Sequence, residues 1–144
     1  ETAIDKIHTE LDELKSWKDI PEIGKEVSGV GYYQATFELP VDWNTNNGLV
    51  VDLGELYEMA KVSVNGQKVQ CVDMMNAKVD VSKYVKAGLN EIEIEVSTTL
   101  LNRLIEMGRY IAGQATMFGL APVDYHDYGL KDCKLIPYTM IPIV

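Results

Sequence analysis

The feature that most constrains the fold is a pair of alternating apolar runs between Leu49 and Gly66, separated by a short link. The alternating apolar positions are Leu49, Val51 and Leu53 in the first run and Ala60, Val62 and Val64 in the second. Successive side chains of a strand point to opposite faces, so each run predicts a strand with one buried face. Asn65-Gly66 tolerates the positive φ of a tight hairpin turn, and Gln67 to Cys71 is predicted as the returning strand.

Four other runs carry the same period of two. They are Tyr33 to Leu39 (ended by Pro40), Val79 to Val81, Glu91 to Val96 and Cys133 to Pro137. Several short strands separated by turn residues predict an all-β, antiparallel sandwich. We expect eight side chains to be buried between its two sheets: Tyr33, Phe37, Leu53, Val62, Val64, Ile92, Ile94 and Val96.

Helical spacing appears at two places. Ile4, Ile7, Leu11 and Leu14 recur every three or four residues, which by itself favours an amphipathic helix up to Lys15. Leu101, Leu104 and Ile105 predict a short helical patch after the Glu91 to Val96 strand.

Length and charge limit the organisation and the partners. A chain of 144 residues is most simply one domain, 1–144. The net charge of −9 argues against nucleic acid and against an anionic membrane surface, because no basic excess exists to bind phosphates. No apolar run is long enough to span a bilayer. The chain begins at Glu1 with neither an initiator Met nor a signal peptide, so we expect a mature form or a fragment of a larger protein.

The order of several short motifs extends the argument beyond periodicity. The motifs are Ser16-Trp17, Asp52-Leu53-Gly54, Val62-Ser63-Val64-Asn65-Gly66, Gly88-Leu89-Asn90, Asn102-Arg103 and Tyr128-Gly129-Leu130. From Leu11 to Tyr138 the chain resembles the sugar-binding-like accessory domain of family-two and α-L-rhamnosidase-like glycoside hydrolases. That resemblance implies a jelly roll of the galactose-binding type. It also implies extended chain near Leu11 to Trp17 after a tail or short helix, although the periodicity by itself favours a helix there. The chain departs from the family where Lys131-Asp132-Cys133 replaces a Gly-Pro-Val turn, which puts that turn's geometry in question.

The resemblance also bears on whether this chain is catalytic. Glycosidic cleavage needs two opposed carboxylates, and no Asp or Glu pair is singled out here by an apolar context. In the resembled enzymes catalysis belongs to another domain, so we expect a non-catalytic module that supports the catalytic domain of the same polypeptide. The alternative is a carbohydrate-binding module for a plant or host glycan. The first function predicts an apolar patch without an aromatic groove, and the second predicts aromatic rings projecting together beside polar groups.

The glycan-binding alternative has a candidate site in the loops. Aromatic rings can stack on a sugar, and charged groups can bind its hydroxyls. The candidate residues are Trp43, Arg103, Tyr125, His126, Asp127 and Tyr128. The competing interpretation, which we favour, is a polar surface loop whose tyrosines cover one end of the sandwich.

The sequence offers few groups for a metal site or a disulfide. Cys71 and Cys133 are expected to be two thiols in strands rather than a disulfide, although a disulfide would suit an exported protein. They form no zinc site and no cofactor is expected. Asp52, Asp73 and Asp80 could supply oxygens to the structural calcium found in related sandwiches, but their spacing forms no recognised calcium loop. We expect export to the periplasm, the cell surface or the medium.

Overall fold

The computed structural model describes residue 7 and residues 9–23, 29–56, 59–72, 75–98 and 128–143. These residues form one 3₁₀ helix, Trp17–Asp19, and seven strands. The strands are β1 (Val30–Leu39), β2 (Asn47–Asp52), β3 (Met59–Val64), β4 (Gln67–Val72), β5 (Lys78–Asp80), β6 (Gly88–Ser97) and β7 (Lys134–Thr139).

The strands form two antiparallel sheets packed as a sandwich. The four-stranded sheet has the order β1-β6-β3-β4, and the three-stranded sheet has the order β5-β2-β7. β4 contacts β5 across the sandwich. β1 and β7 are the strands at the other end of their respective sheets, and we call that end of the sandwich the β1/β7 edge.

The core lies between the sheets and confirms most of the predicted inward faces. Six of the eight expected residues are buried: Leu53, Val62, Val64, Ile92, Ile94 and Val96. Tyr33 and Phe37 pack against this core but are only half-buried, and Ala35 between them is exposed. The prediction of their full burial is wrong because β1 is an edge strand, which alternation within a strand cannot reveal.

The β3–β4 hairpin turn is connected to the start of β6 by two asparagines. Asn65 adopts φ +50°, and its side-chain amide donates to the Tyr84 carbonyl at 2.8 Å and to Asn90 Oδ1 at 2.9 Å. Asn90 is buried, and its own amide donates to the carbonyls of Lys86 and Gly88. The asparagines of the Val-Asn-Gly and Gly-Leu-Asn motifs therefore satisfy each other and the backbone around them.

Trp17 connects the beginning of the described chain to its last segment. Its backbone N–H donates to the Tyr128 carbonyl at 2.8 Å, and its indole Nε1 donates to the Tyr33 hydroxyl at 2.7 Å. The same hydroxyl accepts the Leu130 N–H at 3.0 Å. The indole is in such close contact with Gly31 and Gly129 that a Cβ at either glycine would overlap its ring.

The described residues also bear on the expected N-terminal helix, on the two cysteines and on the question of a membrane span. Residues 9–15 form no helix, so the helical spacing before Lys15 is not realised in this described part. The predicted helical patch at Leu101 to Ile105 lies outside the described residues. Cys71 and Cys133 are free thiols, and burial beside Asp132 raises the pKa of Cys133. Among the described residues, no helix has the length and apolar character needed to cross a bilayer.

The contact between Trp17 and Gly129 predicts an unusually costly alanine substitution. Gly129 has φ +93°, so Gly129→Ala adds backbone strain as well as overlap with the indole. Gly66→Ala is the matched control, because Gly66 has φ +77° but open space at its Cβ position. We expect Gly66→Ala to cost about 1 kcal/mol of unfolding free energy. Gly129→Ala should cost about 2 kcal/mol more. Urea unfolding measures both values, and equal losses would contradict the packing described for Trp17.

Candidate functional site

The structure describes two of the six predicted loop residues, Trp43 and Tyr128. Trp43 follows β1 and is half-buried, packed against the core. Tyr128 is 1% exposed, and its carbonyl accepts hydrogen bonds from Ser16 and Trp17. Tyr128 is therefore part of the hydrophobic core, and its ring does not face solvent. Arg103, Tyr125, His126 and Asp127 lie outside the described residues, so their grouping stays a prediction.

The possible calcium ligands are engaged by the protein itself. Asp52 Oδ1 accepts the Gly54 N–H at 2.9 Å, and Asp80 Oδ1 accepts the Ser82 N–H at 2.9 Å. Asp73 lies outside the described residues. Within the part of the chain that the structure describes, no group of three His, Cys, Asp or Glu residues is placed to hold a metal ion.

The β1/β7 edge is the most distinctive surface of the described structure. All six residues of β7 are exposed, and three of them are large and apolar or aromatic: Leu135, Ile136 and Tyr138. The exposed apolar surface continues beyond the strand through Met140, Ile141 and Ile143, and Ile141 is 82% exposed. In β1, the far strand of the other sheet, Ala35 is exposed and Phe37 is half-buried. An edge strand that exposes apolar side chains is typical of a contact with another protein unit.

The backbone of β7 limits how a partner can use this edge. The Met140 N–H donates to the Asn46 carbonyl at 2.8 Å, so even-numbered residues of β7 direct their backbone groups towards β2. Pro137 is an odd-numbered residue of β7, so its backbone groups point away from β2, and it has no N–H to donate on that unpaired side. A proline there obstructs the addition of another strand. Packing through side chains is therefore favoured over β-strand addition.

A small polar cluster links β7 to β5 across the intervening strand β2. The Tyr138 hydroxyl donates to Asp80 Oδ2, and Ser82 Oγ donates to Asp80 Oδ1. The Leu49 N–H donates to Ser82 Oγ at 2.9 Å. The Tyr138 ring lies directly over Gly48, where a Cβ would overlap it. This cluster fixes the position of the exposed strand.

Sequence reasoning located β7 but missed its exposure. The signal was present, because Leu135, Ile136 and Tyr138 are apolar or aromatic in both phases of the strand period, and Ile141 and Ile143 follow. An edge strand with apolar residues on both faces is the pattern of a surface that something else covers.

Comparison with known proteins places this geometry in a family. Residues 25–115 match the family model described as "Glycosyl hydrolase 2 galactose-binding domain-like". A putative beta-glucuronidase of Formosa agariphila is 38% identical over 97 residues, which is 66% of this chain and 8% of that protein.

Two solved structures agree with the described architecture. The rhamnosidase of Novosphingobium sp. PP1Y superposes with a TM-score of 0.72 and 27% identity, over 89% of this chain and 13% of that one. The beta-D-glucuronidase of Dictyoglomus thermophilum superposes with a TM-score of 0.54 and 27% identity, over 67% of this chain and 18% of that one.

The chain belongs to the galactose-binding-like domain family of the family-two glycoside hydrolases. It spans 8% of the length of the curated relative, so it corresponds to a small accessory part of that protein. The expected β-sandwich fold and the non-catalytic, accessory nature of the domain are thereby confirmed, and the isolated domain is not itself an enzyme.

The Asp80 cluster predicts a pH-dependent contribution to stability. Partial burial raises the pKa of Asp80, but hydrogen bonds from Ser82 and Tyr138 outweigh it, so the net pKa is lowered. A lowered folded-state pKa stabilises the protein above the unfolded value of about 3.9. That stabilisation is lost as pH falls through the folded-state value.

We therefore expect Tyr138→Phe to cost about 0.5–1 kcal/mol at neutral pH. The cost should fall in acid, because a protonated Asp80 no longer accepts a charge-assisted hydrogen bond. Urea unfolding at about pH 7 and about pH 2 measures the difference. Tyr32→Phe is the control, since the Tyr32 hydroxyl has no hydrogen-bond partner among the described residues. An equal loss for Tyr138→Phe at both pH values would contradict this role of Asp80.

Proposed function

We propose that this chain is an accessory module that supports the catalytic domain of the same polypeptide by packing against it through the β1/β7 edge. The observation that carries the proposal is the partial exposure of Leu135, Ile136 and Tyr138 in β7, between 37% and 41%, followed by the more exposed Met140, Ile141 and Ile143. A monomeric sandwich would normally cover or charge such an edge.

The size of the relatives supports a domain of the same polypeptide as the occupant of this edge. This chain corresponds to 8% of the curated relative and to 13% and 18% of two similar solved chains. A domain of this kind is therefore joined to a much longer polypeptide. Covalent connection gives an adjoining domain a high effective concentration, so a modest apolar surface is enough to hold the two together.

The activity of the parent polypeptide is part of the same proposal. Similar proteins are named rhamnosidase and beta-glucuronidase, which supports a glycoside hydrolase acting on a rhamnoside or a glucuronide. Export from the cell and bracing by calcium stay predictions. Glycan binding through the loop residues Trp43, Arg103, Tyr125, His126 and Asp127 also stays a prediction.

The proposal predicts that the two parts of the polypeptide associate when they are expressed separately. We expect this chain and the remainder of its polypeptide to form a one-to-one complex, measured by titration calorimetry and size-exclusion chromatography. The double variant Met140→Asp/Ile141→Asp should weaken it by about tenfold or more, because two charges would replace buried apolar contacts. Both residues follow β7, so the substitutions leave the strand ladder intact.

A matched double variant separates the edge from general surface effects. Met59→Asp/Leu89→Asp makes the same kind of change at exposed residues of the four-stranded sheet, and it should leave the association unchanged. Absence of any complex would contradict the supporting role. An unaffected complex with the edge variant, or a dimer of this chain formed through the edge, would show that the catalytic domain does not occupy it.

A further inference from the structure

Two Asn-Gly pairs in this chain have the composition at which a protein most readily modifies its own backbone. They are Asn47-Gly48 and Asn65-Gly66. Asparagine is a thermolabile residue, because the backbone nitrogen that follows it can attack its side-chain amide. A following glycine accelerates the attack, since its nitrogen is not obstructed by a side chain and its backbone is flexible. The two pairs are alike in sequence, but the fold gives them different surroundings.

The reaction exchanges ammonia for water. The glycine nitrogen loses its proton to solvent and bonds to the asparagine Cγ. The Cγ–Nδ2 bond breaks, and the amide takes a proton from solvent and leaves as ammonia, which closes a five-membered succinimide. Water then opens either carbonyl of the ring and gives aspartate or isoaspartate. Isoaspartate continues the main chain through its side chain, so it adds one carbon to the backbone.

Hydrogen bonds hold Asn65 away from this reaction. Its Nδ2 donates to the Tyr84 carbonyl at 2.8 Å and to Asn90 Oδ1 at 2.9 Å, and its Oδ1 accepts the Glu91 N–H at 3.0 Å. The Asn65 amide has to give up all three bonds before it can turn towards the Gly66 nitrogen. Asn65 also ends β3, which is paired on both sides, so opening the chain there disturbs the four-stranded sheet.

The side chain of Asn47 is held less tightly. Its Oδ1 accepts the backbone N–H of Asn44 at 3.0 Å, and among the described residues its Nδ2 has no hydrogen-bond partner. An N–H that donates to a carbonyl oxygen stabilises the negative charge that develops on this oxygen when the carbon is attacked. The turn that precedes β2 therefore activates the Asn47 amide and leaves its nitrogen free to depart.

The attacking nitrogen at this site is restrained by the pairing of β7 with β2. The Met140 N–H donates to the Asn46 carbonyl, so Gly48 and Tyr138 form the next hydrogen-bonded pair of the ladder. The Gly48 N–H is thus held by an edge strand, at the beginning of β2. Strand ends open at low cost compared with a strand in the middle of a sheet. Release of this end of β7 frees the Gly48 nitrogen and leaves the four-stranded sheet intact.

We infer that Asn47 is the site at which this chain deamidates, through opening of the end of β7, while the hydrogen-bonded Asn65 is spared. Conversion places a negative charge, and in isoaspartate an extra backbone carbon, at the first residue of β2. The Tyr138 ring lies directly over Gly48, so an altered backbone there displaces this end of β7. The modification therefore acts on the β1/β7 edge, although the reaction itself does not depend on what occupies that edge.

The test is incubation of the folded chain at mildly alkaline pH, followed by tryptic digestion and mass spectrometry. Lys61 separates the two sites, so they fall in different tryptic peptides. We expect Asn47 to convert at least about tenfold faster than Asn65, a difference that one or two hydrogen bonds can produce. In urea, where the fold is lost, the two sites should convert at similar rates. Asn47→Gln should remove the conversion from its peptide, because glutamine has to close a larger ring.

A second pair of variants tests the role of β7. Tyr138→Phe removes the hydroxyl that donates to Asp80 and should raise the Asn47 rate about two- to fivefold, because β7 then opens more easily. Tyr32→Phe is the control and should leave the rate unchanged. The inference is overturned if Asn65 converts as fast as Asn47 in the folded chain, or if Asn47 converts only in urea. Conversion confined to Asn44 or Asn46, or equal rates in Tyr138→Phe and Tyr32→Phe, would overturn it as well.

Discussion

The packing of Trp17 is the contact on which the rest of the sandwich depends. Its indole is held between two glycines, Gly31 in β1 and Gly129 before β7, and hydrogen-bonds to the Tyr33 hydroxyl. That one side chain therefore joins the leading segment, an edge of the four-stranded sheet and the chain that enters the three-stranded sheet. Because β1 and β7 are both edge strands, few other contacts fix them relative to each other. The position of the proposed docking edge follows from this packing.

The sequence predicts those features whose physical cause is local. Asparagine and glycine both tolerate positive φ, which Asn65 and Gly66 adopt in the hairpin turn. The hairpin and both of its strands are therefore predictable from a short stretch of chain. Alternation likewise identifies the buried faces of β3 and β6, since each of these strands is paired on both sides. The motifs around Ser16-Trp17 and Tyr128-Gly129-Leu130 indicate the family, although nothing local in them shows that they pack together. Their contact joins residues 112 positions apart.

Features that depend on strand order are not predictable from the sequence in this way. The half-burial of Phe37 and the exposure of Leu135 follow from β1 and β7 lying at one edge, which alternation within a strand does not specify. Register across the four-stranded sheet, which aligns Ser63 between Glu93 and Lys68, is likewise not specified by alternation within one strand. The three glutamates of β6 have the pattern of a solvated face. Tyr128, one of the loop residues predicted to bind glycan, is a further example. It is buried where its carbonyl accepts hydrogen bonds from Ser16 and Trp17, residues far away in the sequence.

Hydroxyl-radical footprinting of the full polypeptide tests most directly whether the catalytic domain covers the β1/β7 edge. Methionine side chains are oxidised when exposed, and both Met140, after β7, and Met59, in the four-stranded sheet, are exposed in this chain. We expect Met140 to be protected in the full polypeptide relative to the isolated chain, while Met59 reacts equally in both. Protection of Met59 with Met140 still fully reactive would contradict the proposed docking, since the catalytic domain would then cover the four-stranded sheet and leave the β1/β7 edge open.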